Sequence, residues 1–545
     1  MCQHTLAVTY YISPTGNDSH SGTSAQAAWR TLDKVNAVDL NPGDSVLFEA
    51  GHDYRGNLLL TAEDAGTPTQ PVVIGSYGTG RARIKAGNGS GVTVLNAGGI
   101  EVKDLVVMGD DYKTNIGSGI KIINELPNDR KLECIRIHNI EAERFGRQPY
   151  KGPWSVGSPN GCGIVVGGYA VDKSKSGYRD VRITNCAVHH NEYFGILITG
   201  YHADNPNTYA NRGVYVGYCT MYDNPGDPEF SRSHSGSGIL MLDVDGGVIE
   251  YCEAYNNGYD CGRGEIGIWA CVANNIIIQF CESHHNRTGG YSDGGGFDLD
   301  GGTTNSILQY NYSHDNDGAG YMVYSYANAP HMDKNNIVRY NISVNDGQQH
   351  NYSGIILGTG SPKSDPIHNT QIYGNIVYAS SNPAIYIGKA GVYNTKVCNN
   401  LFITANNQKL LVGNSDKSTV TFAGNAYWAV DGRYDFAGDK SLEDWRQATG
   451  QETVREKAVG LVVDPKLIDL GANVTIGDPT KLHTLTAYRL QGDSPLIDGG
   501  IDIRSELGID PGERDFYGNP IPQGKGFDIG AHEIVLENTS SVERK

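Results

Sequence analysis

Eight short segments of the chain repeat one pattern: an aliphatic residue, two spacers, then Cys or Asn followed by a turn. The aliphatic members are Ile183, Val216, Ile249, Ile278, Leu308, Val338, Ile372 and Val397. Three residues after each stand Cys186, Cys219, Cys252, Cys281, Asn311, Asn341, Asn375 and Asn400. Steps of 33, 33, 29, 30, 30, 34 and 25 residues separate this second series. A period in this range means stacked supersecondary units, each too small to bury its own apolar face, rather than one globular core. The repeat traces back through Val102/Leu105 and Ile137/Ile140, which makes at least ten coils.

Composition agrees with many short strands joined by tight turns. Gly (71) and Tyr (33) are abundant, whereas Met (6), Phe (11) and Trp (5) are scarce. The net charge of −18 excludes a nucleic-acid backbone as partner, which needs a basic face. No run of 18 apolar residues is present, so no helical membrane span is expected. Of the ten cysteines, Cys186, Cys219, Cys252 and Cys281 share one repeat column and are expected to stack as free, buried thiols. Cys261 and Cys271 are close enough in sequence for a bridge. The opening Met-Cys-Gln admits two readings: an exported protein with a lipid anchor at Cys2, or an ordinary cytosolic start. Export is the expectation taken forward.

Three regions are expected. Residues 1–75 form an N-terminal cap, with a strand at Tyr10–Ile12, a short amphipathic helix within residues 27–35 and a strand at 44–48. Residues 76–425 form the solenoid. Residues 426–545 form an irregular capping or flanking segment that begins with a helix at Ser441–Trp445. A cap is required because the open end of a strand stack invites edge-to-edge aggregation. The 46-residue step from Ile140 to Cys186 places a loop-like insertion around 147–160, and the period is expected to fade after Asn400. Five residues after the column run Asn191, Asn224, Asn257, Asn286 and Asn316, a stacked corner device, since Asn tolerates left-handed backbone and hydrogen-bonds its own chain.

A second strand of each coil begins at Gly (Gly195, Gly238, Gly267, Gly296, Gly320), after which inward and outward residues alternate. Inward positions are apolar. On the coil Asp293-Gly-Gly-Gly-Phe-Asp298-Leu-Asp300 the outward pair is Asp298 and Asp300, about 6.5–7 Å apart along the strand. The register sets Trp269 beside Asp298 and Tyr324 beside Asp300, and outward residues are expected to face solvent. Carboxylates flanked by aromatic rings suit a sugar, the rings stacking on it while the acids move protons. Asp293, Asp317 and Glu265 converge nearby and can tune pKa values or replace a member of the pair, because crowded like charges keep one carboxyl protonated. His314 and Arg263 complete the expected substrate contacts. The alternatives are a Ca²⁺-binding acidic ladder and a merely solvated one; no metal ligand set is assigned.

With these coils, the Tyr11-Ile12-Ser13-Pro14-Thr15-Gly16-Asn17-Asp18 opening and the Asp528-Ile529-Gly530-Ala531 ending, the chain resembles the right-handed parallel β-helix carbohydrate-active proteins, a superfamily of polysaccharide lyases and glycoside hydrolases. The resemblance covers nearly the whole chain and implies an all-β, right-handed parallel β-helix. It also implies a carbohydrate substrate and a secreted, periplasmic or cell-surface location. The polygalacturonase motifs are missing, and Arg83-Ile84-Lys85 lies far before the acids, so no residue role is carried over. The expectation is a glycoside hydrolase that needs no cofactor, with Asp298 and Asp300 as general acid and base or nucleophile and with stereochemistry open. The alternatives are a Ca²⁺-assisted lyase using Arg263 or Lys334 as base, and a non-catalytic glycan-binding solenoid.

Overall fold

The computed structural model describes residues 6–146, 159–200, 208–230, 233–290 and 292–535. The repeat is a parallel ladder. Ile183, Val216, Ile249, Ile278, Leu308, Val338, Ile372 and Val397 pair in register from coil to coil, and all are buried. One face of the β-helix is a twelve-strand sheet running from Leu58–Leu60 to Leu411–Gly413. The other two faces are joined in a 26-stranded ladder that bends at the Cys/Asn column. The fold is the expected parallel β-helix.

The bend has a local cause. The residue before each column member adopts left-handed backbone: Tyr218 (φ 57°), Tyr251 (53°), Phe280 (53°), Tyr310 (58°) and Tyr340 (50°) among them. Aromatic residues rarely sit in that region. Here their rings stack from coil to coil, Tyr218 on Tyr251 at 5.0 Å, Tyr251 on Phe280 at 5.2 Å and Phe280 on Tyr310 at 5.2 Å, which offsets the strain. After the bend, Asn column members bond along the stack. Asn341 Nδ2 donates to the Leu308 carbonyl (2.9 Å) and to Asn375 Oδ1 (3.0 Å). The second asparagine column, Asn191 to Asn316, bonds likewise and ends on Asp346, where Asn316 Nδ2 donates to Oδ1 at 2.8 Å. These interior amides are satisfied, as buried polar groups must be. The column cysteines are free and buried, and Cys261 and Cys271 are also free.

The ladder extends beyond the repeat at both ends. Thr9–Ile12 pairs in parallel with Ser45–Glu49, which pairs with Val72–Tyr77, so the cap region already carries coils. Its helix is Leu32–Asn36, burying Leu32 and Val35. At the other end the period does not fade after Asn400. Phe422 stacks on Val397, and Asn425 continues the column to Glu452, whose Oε1 accepts from Asn425 Nδ2 at 2.8 Å. Helix Leu442–Thr449, capped by Ser441 and closed by Gly450 (φ 73°), drives Trp445 into this end of the core. Residues 464–533 then fold back along the ladder, where Leu482, Tyr488, Leu496 and Ile529 pack on Tyr312, Tyr340, Tyr373 and Leu401. Among the described residues no helix is long and apolar enough to cross a membrane. Cys2 and residues 147–158 of the expected insertion lie outside the described residues.

Candidate active site

The twelve-strand sheet places Trp269 beside Asp298 and Met322 beyond it, with Cys271, Asp300 and Tyr324 in the next outward row. The neighbours are those the alternation gives; their exposure is not. Asp298 is 1% exposed, Asp300 7% and Trp269 3%. The reason lies in the rest of the row. Val165, Leu197, Leu240, Trp269, Asp298, Met322 and Ile356 stack in register, so one carboxylate stands in an otherwise apolar outer stripe. Apolar outward residues require cover, and segments such as 233–236 and 350–352 rise over the sheet to supply it.

A cavity of about 440 Å³ remains beneath this cover. Phe194, Leu240, Leu242 and Trp269 line one half; Tyr324, Tyr326, Tyr352 and Tyr386 line the other; Asp293, Asp298 and Asp300 lie between them. Burial pushes the Asp298 carboxyl well above its ordinary range, and the charges of Asp300, Asp293 and Asp333 add to the shift. Its Oδ1 has no hydrogen-bond partner. Burial also raises Asp300, to about 7, although the Gly301 N–H and the Cys271 thiol favour its ionised form. Asp293 sits half-buried at a left-handed turn (φ 63°). The Tyr352 hydroxyl donates to its Oδ1 at 2.9 Å and accepts its backbone N–H at 3.0 Å.

The other expected residues separate. Arg263 is exposed at the cavity mouth, and Tyr324 lines the cavity. Glu265 is fully buried outside the lining, both carboxyl oxygens without partners. Burial, reinforced by Asp293 and Asp317 and opposed by Arg287, holds it well above the ordinary carboxylate range. Asp317 turns away from the cavity to bond Arg287 Nη1 (3.1 Å) and the Thr288 N–H (3.2 Å). His314 does not reach the site. Its strand, Tyr312–His314, belongs to the ladder covered by the C-terminal segment, and its ring is locked between Glu282 Oε1 (3.3 Å) and Asp315 Oδ2 (2.8 Å). Lys334 is exposed on the Thr304–His368 bridge line and does not line the cavity.

Three participants escape sequence reasoning. His234 packs against Trp269, ring centroids 4.7 Å apart, with Nδ1 unpartnered. Tyr352 arrives from a loop with no repeat signature. Asp333, fully buried, accepts the Gly302 (3.3 Å) and Thr303 (3.0 Å) N–H groups and so fixes the turn that follows Asp300. Its place in an Ala-Pro-His-Met-Asp loop gives no such signal. Among the described residues, the clusters of three metal-ligating side chains are Glu143–His189–His190, Glu282–His284–His314 and His285–His314–Asp315; none includes a cavity carboxylate.

No family model matches the chain. A stretch of 113 residues, 20% of the chain, is 35% identical to a lacto-N-biosidase of Bifidobacterium longum subsp. longum. The chain spans only 6% of that relative's length. Among solved structures, the GH136 lacto-N-biosidase from Eubacterium ramulus aligns with a TM-score of 0.50 and 20% identity, over 67% of this chain and 64% of that one. The structure of XylC with xylose aligns with a TM-score of 0.50 and 12% identity, over 97% and 98% of the two chains. What is shared at these identities is the parallel β-helix fold.

Proposed function

We propose that the chain is a glycoside hydrolase whose covered cavity cleaves the glycosidic bond of an oligo- or polysaccharide with Asp300 as proton donor. The observation that carries the reading is the cluster of three carboxyl groups between a Trp-lined and a Tyr-lined wall, one of them raised to about 7. A carboxylic acid with that pKa keeps its proton at working pH and can give it to the leaving oxygen. Its partner must be ionised to attack the anomeric carbon or activate water. Sealed in by apolar neighbours that push its carboxyl well above the ordinary range, Asp298 serves poorly in that role. Asp293, more open and held by the Tyr352 hydroxyl, takes it. Asp298 then acts as a neutral hydrogen-bond donor, while the charge of Asp293 helps Asp300 keep its proton.

The lyase alternative needs a basic group against the sugar. In the described cavity the single Arg or Lys is Arg263, exposed at the mouth. The 35% identity with a lacto-N-biosidase over 113 residues also favours hydrolysis. On this reading the acids need no Ca²⁺, and the enzyme meets its glycans outside the cytoplasm. The test is incubation with a panel of neutral and uronate glycans, with and without chelator, following reducing ends and ultraviolet absorbance. Reducing ends without unsaturated product, unchanged by chelation and lost in Asp300→Asn and Asp293→Asn, are expected. An unsaturated product lost on chelation would overturn the reading, and binding without cleavage would make the chain a glycan-binding protein.

A further inference from the structure

Three polar atoms of the cavity wall, Trp269 Nε1, Asp298 Oδ1 and His234 Nδ1, have no partner among the described residues, and the last lies beside Asp293. His234 lies in the loop before the Ser237–Leu242 strand, its ring resting on Trp269. Its Nδ1 is sealed from solvent and bonds to nothing among the described residues. An unpaired buried imidazole nitrogen is costly, and native structures seldom leave one without water or ligand. Gly264 shows what faces it. A Cβ on Gly264 would lie 2.6 Å from His234 Nδ1 and 2.9 Å from Asp293 Oδ2. Both atoms therefore close on the same side of Gly264 and lie near enough to each other to share one bridging oxygen on their cavity side. Gly264 is also left-handed (φ 62°), so the backbone here favours the residue that has no Cβ to push the two atoms apart.

We propose that His234 Nδ1 and Asp293 Oδ2 together hold one hydroxyl-type oxygen, and that His234 is thereby a positioning residue for Asp293. An O–H group suits the pair because Asp293, when ionised, only accepts. The bridging oxygen donates its proton to Oδ2, which also accepts the Ser292 hydroxyl at 3.5 Å, and accepts the Nδ1–H of a neutral imidazole, so that Nδ1 is no longer unpaired. A cation has no place between an N–H and a carboxylate, and a second carboxylate would meet Asp293 as a like charge. The oxygen is that of a water or of a hydroxyl on a sugar stacked against Trp269. The proposal takes the importance of Asp293 from the hydrolase reading, but the bridge itself is a property of the ground state.

Imidazole ¹⁵N resonances test the bridge without any substrate. With His-selective labelling, the His234 Nδ1 shift should move in Asp293→Asn. An unchanged shift in Asp293→Asn would overturn the proposal. Kinetics on whichever panel glycan the wild type cleaves distinguish the two sources. His234→Ala should lower kcat/KM about 10- to 100-fold, the range for a hydrogen bond to a charged group. His234→Asn, which retains an N–H near the Nδ1 position, should recover most of that loss. A fall in kcat with KM and product affinity unchanged identifies water; a rise in KM with weakened product binding identifies the sugar hydroxyl. Equal losses in His234→Ala and His234→Asn would mean that the ring merely packs on Trp269, and the proposal would fail. A wild type inert on every glycan would instead refute the hydrolase reading, and the ¹⁵N result would still decide the bridge.

Discussion

His314, expected at the substrate and found instead under the C-terminal segment, yields the sharpest stability prediction. Its ring is fully buried between two carboxylates, with Nε2 3.3 Å from Glu282 Oε1 and Nδ1 2.8 Å from Asp315 Oδ2. The same carboxylates hold the C-terminal segment. Glu282 accepts the Ile476 and Gly477 N–H groups at 2.8 Å each, and Asp315 accepts from Asn473 Nδ2 at 2.9 Å. Burial opposes the charge on the imidazole, but the hydrogen bonds and charges of Asp315 and Glu282 outweigh it and raise the pKa to about 9. A rise from 6.5 to that value is worth ~3 kcal/mol of preference for the protonated folded state. Because the folded pKa lies above the unfolded one, this contribution is complete below pH 6.5. It drains away as pH climbs to about 9, where the two carboxylates lose their buried cation.

The perturbation is therefore pH itself, with His314→Gln as the control that cannot titrate. Hydrogen exchange of the amides at 473–477 reads local release directly. In the wild type their protection should fall between pH 6.5 and 9, after correction for intrinsic exchange, by up to about 100-fold for a change of ~3 kcal/mol. His314→Gln should already be deprotected at pH 6 and show no further step. Equal pH dependence in the two proteins over this window would refute the argument, because the titrating group would then not be His314.

Three further outcomes follow from the site and the ladder. Activity should fall as pH rises through about 7, where Asp300 loses its proton, and Asp300→Asn should cost about 10²- to 10⁴-fold in kcat/KM and abolish that limb. Trp269→Ala should weaken glycan binding roughly 3- to 10-fold, measured by calorimetry, through the loss of a stacking face worth ~1 kcal/mol. Asn341→Leu breaks the ladder on both sides, taking from the Asn311 N–H and Nδ2 their shared acceptor and from the Leu308 carbonyl and Asn375 Oδ1 a donor, and should lower stability by about 2–4 kcal/mol in urea titrations.

The solenoid was legible in the sequence because its physics is periodic. A column that returns every 25 to 34 residues fixes which strands pair, and pairing fixes which residues share a face. Trp269, Asp298 and Asp300 were found by that route alone. The route fails wherever the chain leaves the ladder. His234, Tyr352 and Asp333 come from loops whose course no period dictates, and His314 was misplaced because its column position was legible but its cover was not. The left-handed Tyr and Phe before the bend were also hidden, since propensity argues against them and only coil-to-coil ring stacking makes them tolerable. The coil at Thr9 escaped because its column residues diverge while its backbone still pairs, and the coil at Phe422 because an aromatic ring replaces the aliphatic member although Asn425 keeps the column.

The outer row that carries Asp298 joins these points into one argument. Had the row been polar, like the solvent face of most sheets, its carboxylates would be hydrated and ionised, and none could hold a proton near neutrality. Leu240 and Trp269 before Asp298, and Met322 and Ile356 after it, strip most of the water from the row once loops cover them. The same apolar stripe that demands a cover thus supplies the low-dielectric wall that raises Asp300 to about 7. This separates structural from chemical necessity on the coil. Replacing Leu240 with Asn would leave the ladder and all three acids in place, yet it should admit water, lower the Asp300 pKa and shift the alkaline limb of the rate profile toward lower pH. A variant that lost activity with that limb unmoved would show that the apolar wall serves substrate packing rather than the proton.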